Sequence, residues 1–217
     1  MSNDIISKSI IKRLPRYYRF LGELEEGGYV RISSRELAEK MGLTASQIRQ
    51  DFNCFGEFGQ QGYGYNVKEL RIQIGNILGI ENKNPMILVG AGNLGMAIAS
   101  HLDFTNRGFE LVGIFDSNSE VIGKSAGELI VRDVAEIDKF CIEKKPVAAI
   151  LCIPKNAAEK ISDKLISHGV KAFWNFTHYD IRLNHPDVIV ENVHLGDSLT
   201  VLSYCLNCDD KNEDCII

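Results

Sequence analysis

Val89-Gly90-Ala91-Gly92-Asn93-Leu94-Gly95 is the stretch from which the rest of the chain is read. It carries the spacing GxGxxG. An apolar run, Met86-Ile87-Leu88-Val89, leads into it, and a helical pattern over residues 93–102 leads out. In a strand–turn–helix context each glycine has a task. Gly90 permits the tight turn, Gly92 lets a pyrophosphate approach the backbone, and Gly95 lets helix pack on strand. The first N–H groups of the helix then face the phosphates. A second apolar run ends at Phe115-Asp116, about 20 residues further on, where a ribose 2′-hydroxyl acceptor belongs. A carboxylate there repels a 2′-phosphate, so NAD(H) is favoured over NADP(H). The spacing alone is weak and also fits a glycine-rich turn with no ligand; the surrounding strand, helix and acid are what set that reading aside.

Working outward, strands are expected at residues 86–89, 111–115, 147–153, 171–176 and 188–190. Helices are expected at 93–102, 134–144, 157–168 and 198–206. Strands alternating with helices of that length imply an α/β fold, a doubly wound, Rossmann-like parallel sheet over residues 85–195. A dehydrogenase would need a substrate domain and an acid/base pair. Only about 20 residues follow position 195, too few unless the N-terminal part serves. None of His101, His168, His178, His185 and His194 sits in a general-base motif. The chain is therefore not expected to be an enzyme, and no catalytic residue, small-molecule substrate or metal is assigned. A small NAD-dependent oxidoreductase remains the alternative.

Upstream, the polar stretch Gly79 to Pro85 marks a boundary, and residues 1–80 read differently. Pro15 suits the first position of a helix running to about residue 26. Two capping boxes follow, Ser33-x-x-Glu36 and Thr44-x-x-Gln47, opening helices over 35–41 and 45–54. Gly42-Leu43 joins them tightly, which is the helix-turn-helix pattern. The second helix exposes Ser46, Gln47, Arg49 and Gln50 and turns Ile48, Phe52 and Phe55 inward. That is a recognition helix or simply an amphipathic one. Glycines alternating with aromatics over residues 55–65 suggest a bulged β-hairpin, placed where a wing would be. A closing helix is expected over 67–78.

Charge divides the same way. Residues 1–82 carry 11 Lys/Arg and 10 Asp/Glu, and residues 83–217 carry 13 and 19. Lys8, Lys12, Arg13, Arg16 and Arg19 come with no acid between them, a patch suited to nucleic acid or to a solvated helix face. No apolar run approaches a membrane span and no secretory leader is evident, so a cytoplasmic location with reduced thiols is expected. Cys205-x-x-Cys208, with Cys215 beyond, fits thiols at a helix end or half of a zinc or redox site.

With these residues in place, the chain resembles the bacterial redox-sensing transcriptional repressors of the Rex family over nearly its whole length. The resemblance rests on Arg13-Leu14-Pro15-Arg16-Tyr17-Tyr18-Arg19, on Ile48-Arg49-Gln50-Asp51-Phe52, and on Phe55-Gly56-x-Phe58-Gly59-x-x-Gly62-x-Gly64-Tyr65. It continues in the Gly90–Gly95 run, Phe115-Asp116, Asn175-Phe176 and Val190-Glu191-Asn192-Val193. It implies a homodimer with a winged helix-turn-helix domain (1–80), a Rossmann NAD(H)-binding domain (85–195) and a C-terminal dimerisation helix and tail (196–217). That helix, with Leu199, Leu202 and Leu206 on one face, would exchange between subunits. NAD+ would permit binding to palindromic operator DNA upstream of fermentation and respiration genes, and NADH would release it. The candidate cofactor set is Gly90, Ala91, Gly92, Asn93, Leu94, Gly95, His101, Asp116, Lys124, Ile153, Pro154 and His194. The candidate DNA-binding set is Lys12, Arg13, Arg16, Ser46, Gln47, Arg49, Gln50, Gln60 and Tyr63.

Three departures from the family pattern stand out. Gln50 occupies a position where many members have Lys, so adenine rather than guanine is the expected reading there. His194 stands where some members have an Asp at the subunit interface, and His101 where some have a Tyr. In those members the two join a contact with an Arg matching Arg19. Histidines cannot make that ion pair, so packing or a His101–His194 hydrogen bond is expected in its place.

Overall fold

A computed structural model of the chain describes residues 7–55 and 63–207. Two compact units emerge, one of residues 1–82 with 106–108, the other of 83–105 with 109–217. The first holds helices α1 (Lys8–Glu26), α2 (Ser34–Met41), α3 (Ala45–Asn53) and α4 (Val67–Leu78). Two short strands, β1 (Arg31–Ile32) and β2 (Tyr65–Asn66), pair antiparallel. Leu14, Tyr17 and Leu21 of α1 pack with Leu37 of α2, Ile48 and Phe52 of α3, and Leu70 and Ile74 of α4. These residues recur at three- and four-residue spacing, so each helix turns one stripe inward.

The caps behave largely as read. The Ser33 hydroxyl accepts from the Glu36 N–H, and the Glu36 carboxylate accepts from the Ser33 N–H. The Thr44 hydroxyl accepts from the Gln47 N–H, but the Gln47 amide turns away to Asp51. The second box is therefore half formed. Pro15 is not a first-turn residue: α1 begins at Lys8 behind a Ser7 cap, and Pro15 lies inside it. The proline costs one main-chain bond, to the Ile11 carbonyl, and both residues lie on the exposed face, where water offsets the loss. Residues 56–62, which hold most of the expected hairpin and Gln60, lie outside the described residues. The described strand, β2, pairs with β1 ahead of α2. The Ile32 carbonyl comes so close to Gly64, at φ 70°, that a side chain there would clash with it.

The second unit is a seven-stranded sheet in the order β5-β6-β4-β3-β7-β8-β9. Its strands are β3 (Asn84–Val89), β4 (Phe109–Asp116), β5 (Ser125–Ala126), β6 (Leu129–Asp133), β7 (Ala148–Leu151), β8 (Ala172–Asn175) and β9 (Ile189–Asn192). All neighbours run parallel except β5 and β6. Without β5 this is the doubly wound nucleotide-binding order, reversing between β3 and β7. The helices are α5 (Asn93–His101), α6 (Ile137–Lys144), α7 (Lys155–Ser167) and α8 (Leu195–Asn207). One apolar layer joins Ile87, Phe115, Phe140, Leu151 and Leu165; the other joins Leu88, Ile114, Val131 and Ile150. Strands β5 and β6 were not legible, because Glu128, Arg132 and Asp133 interrupt the apolar pattern. The helix expected over 134–144 divides into a 3-10 turn, Val134–Glu136, capped by Asp133, and then α6. Helix α8 has no buried residue in a single chain.

Candidate nucleotide site and nucleic-acid interface

The Gly90 turn leaves β3 at the point where strand order reverses. Its N–H donates to the Phe115 carbonyl of β4 at 2.8 Å, and the Cys152 N–H donates to Val89 at 2.8 Å. The turn is thus pinned to both neighbouring strands. Gly90 has φ 103°, and a Cβ there would overlap the Cys152 carbonyl; a Cβ on Gly95 would overlap the Gly90 carbonyl oxygen. Both glycines are demanded by the fold itself. Gly92 differs: a Cβ there would meet nothing within 4 Å. Gly92 also caps α5 without a side-chain hydrogen bond to its first turn. Open space above a glycine at a helix N-terminus with uncapped N–H groups fits a dinucleotide pyrophosphate.

Asp116 ends β4, as a ribose-binding carboxylate should. One oxygen accepts from the Ala91 N–H at 2.5 Å and the other from the Asn118 N–H at 2.8 Å. The carboxylate therefore fixes the glycine-rich turn at the end of β4. Ile153 and Pro154 follow β7; the Ile153 side chain comes within 2.9 Å of a Cβ built on Gly90, and Pro154 caps α7. Lys124 lies one residue before β5, its carbonyl bonded by Val131 of β6. Gly90, Ala91, Gly92, Asn93, Leu94, Gly95, Asp116, Ile153 and Pro154 are thus brought together along the carboxyl edge of the sheet. His101 is not among them within one chain. It ends α5, about 12 Å along the helix axis from Asn93. His194 follows β9 and stacks on His178, with ring centroids 5.1 Å apart and planes within 5°. Its Nδ1 is buried with no hydrogen-bond partner. No hydrogen bond joins His101 to His194 among the described residues of one chain. His178, which sequence reading passed over, therefore supports His194; only the sheet register brings the two together.

Of the remaining thiols, burial pushes Cys152 up to about 12 and Cys141 up to about 11, so neither is a thiolate at neutral pH. Cys205 lies on α8, while Cys208 and Cys215 lie outside the described residues.

In the first unit, Ser46, Arg49 and Gln50 are exposed on α3, and Tyr63 is 71% exposed just before β2. Arg49 reaches the Ser34 hydroxyl at 3.1 Å. Arg16 donates to the Met41 carbonyl at the end of α2 at 2.6 Å, and Lys12 is exposed on α1. Arg13 and Gln47 both turn to Asp51, the acid that α3 buries.

Two family models match the chain: one described as a putative DNA-binding protein N-terminus over residues 5–53, the other as a CoA binding domain over residues 81–179. A redox-sensing transcriptional repressor Rex of Clostridium perfringens is 49% identical over 205 residues, spanning 94% of this chain and 96% of its own. One of a Thermoanaerobacter strain is 51% identical, spanning 94% and 90%. The chain belongs to the Rex family. A Rex-family repressor called RSP, solved in complex with β-NAD+ and operator DNA, superposes with a TM-score of 0.87 at 51% identity, covering 94% of each chain. The same repressor in complex with β-NADH superposes with a TM-score of 0.84 at 48% identity, covering 94% and 96%. Rex relatives are named as repressors, and no helix among the described residues is long and apolar enough to cross a membrane.

Proposed function

We propose that the chain is an NADH/NAD+-responsive transcriptional repressor, binding palindromic operator DNA as a homodimer and released from it by NADH. The observation that carries this is the pairing of two sites in one chain. A GxGxxG turn with Asp116 stands at the reversal point of the sheet, and a helix-turn-helix with an exposed polar face precedes it. The RSP complexes, one with β-NAD+ and operator DNA and one with β-NADH, support the same pairing. The nicotinamide states act as ligands that discriminate between two arrangements of the protein, which is what shifts an equilibrium. Residues 1–80 bind DNA, 85–195 bind NAD(H), and 196–217 dimerise. Its place is the cytoplasm, with operators of fermentation and respiration genes. Oxidoreductase activity is not favoured, because relatives aligned over 94% of the chain are repressors.

A gel shift on a palindromic operator at fixed salt tests this. Release by NADH but not by NAD+ is expected; equal release by both, or NADH turnover with carbonyl substrates, overturns it. Fixed salt matters, because phosphate contacts alone change affinity by orders of magnitude.

Gln50 sets a second expectation. A side-chain amide pairs bidentately with adenine, so an operator half-site with A·T at the contacted position should bind about tenfold tighter than the G·C version. Preference for G·C, measured by competition between the two duplexes, would remove Gln50 from base reading.

A further inference from the structure

The carboxylate of Asp51 is 1% exposed and sits inside the helix meant to enter DNA. It accepts from the Arg13 guanidinium through Nε and one terminal nitrogen, both at 2.7 Å, from the Tyr17 hydroxyl at 2.7 Å and from the Gln47 amide at 3.1 Å. Burial pushes the Asp51 carboxyl up, but the hydrogen bonds from Arg13, Tyr17 and Gln47 outweigh it and hold it below the usual carboxylate range. The aromatic ring of Tyr17 meets Phe52 edge-on, centroids 5.1 Å apart, in the same layer. An ion pair of this kind contributes little net stability, because desolvation offsets attraction, yet it is costly to break from one side and it fixes orientation. Here it ties α1 to α3. Arg16 adds a second tie, from α1 to the last carbonyl of α2.

We propose that Arg13, Asp51 and Gln47 are positioning residues for operator binding: they lock the recognition helix against α1 and leave base reading to Ser46, Arg49 and Gln50. The proposal rests on the DNA-binding reading above. It assigns two residues that look like DNA contacts a different task. A guanidinium held in a two-point fork by a buried acid acts as a strut, and a lysine, with one point charge, cannot take its place.

One consequence runs against charge counting. Asp51→Asn removes a negative charge from a helix facing phosphates, which by charge alone should strengthen binding. The strut predicts weakening instead.

The test is a double-mutant cycle on operator affinity in the full-length protein, repeated at several salt concentrations. Arg13→Lys and Asp51→Asn should each weaken binding about tenfold or more, and the double variant no further than the worse single one. The slope of log affinity against log salt should stay at the parent's value, since no phosphate contact is lost. A phosphate contact at Arg13 would itself be kept by Lys, leaving affinity near the parent's. Because a damaged helix bundle would also lose affinity, Tyr17→Phe is measured beside them, with thermal melting of every variant. It deletes one hydrogen bond and no charge, and should weaken binding a few-fold with a smaller drop in melting than Asp51→Asn shows. Parent-like affinity of Arg13→Lys, tighter binding by Asp51→Asn, additive losses, or a Tyr17→Phe protein that binds as the parent does would each overturn the proposal. Failure of the DNA-binding reading looks different: the unaltered chain would then not shift the operator at all.

Discussion

Gly95→Ala abolishes NAD(H) binding, by about 100-fold or more in affinity, because several charge-assisted phosphate hydrogen bonds are lost together. The new methyl group would overlap the Gly90 carbonyl oxygen, a backbone atom with no rotamer to escape into. Helix α5 must then move off β3, and its first N–H groups move with it. Gly92→Ala makes the comparison exact in kind. Its methyl meets nothing within the chain, so fold and melting stay as they are and only the ligand is displaced. NADH fluorescence titration with thermal melting separates the two: loss of affinity in both, loss of stability in Gly95→Ala alone. In gel shifts both should bind operator and ignore NADH. Normal titration by Gly92→Ala would move the pyrophosphate away from this turn.

Leu199→Lys with Leu202→Lys should convert the proposed homodimer to monomer and weaken operator binding by about two orders of magnitude or more, since each half-site is then bound independently. In a single chain Leu195, Leu199, Leu202, Tyr204 and Leu206 of α8 are all more than half exposed. An apolar stripe of that size is unstable in water, where each leucine stands to gain roughly 1.5–3 kcal/mol on burial. Burial against a second copy, the role proposed above for residues 196–217, would satisfy it, and two ammonium groups would forbid that burial. Sedimentation analysis reads the outcome: the mass should halve while NADH titration, which uses the β3–α5 turn, shows how much of the nucleotide site survives alone. A double variant that still sediments as a dimer would place the subunit contact elsewhere.

Much of the molecule is visible in local pattern. The GxGxxG turn, the acid at the end of the next strand, the Ser33 box and the closing helix at residues 67–78 depend on residues close in sequence, where spacing and capping chemistry decide. The start of α1 is ambiguous in the sequence, because a proline is an equally good first residue or a tolerated interior one on an exposed face. The β1–β2 ribbon was missed because its strands are two residues each and lie more than thirty positions apart.

The sequence by itself determined the fold class, the nucleotide fingerprint and the paired helices over residues 34–53, because each is a short-range arrangement whose residue types have few other uses. Only the tertiary structure decided what the polar side chains do. It turned Arg13 and Gln47 onto Asp51, set His178 beneath His194, left His101 at the far end of α5, and gave Asp116 the Ala91 and Asn118 N–H groups. A side chain's periodicity says which way it faces; only packing brings a partner from elsewhere in the chain and settles which hydrogen bond it makes.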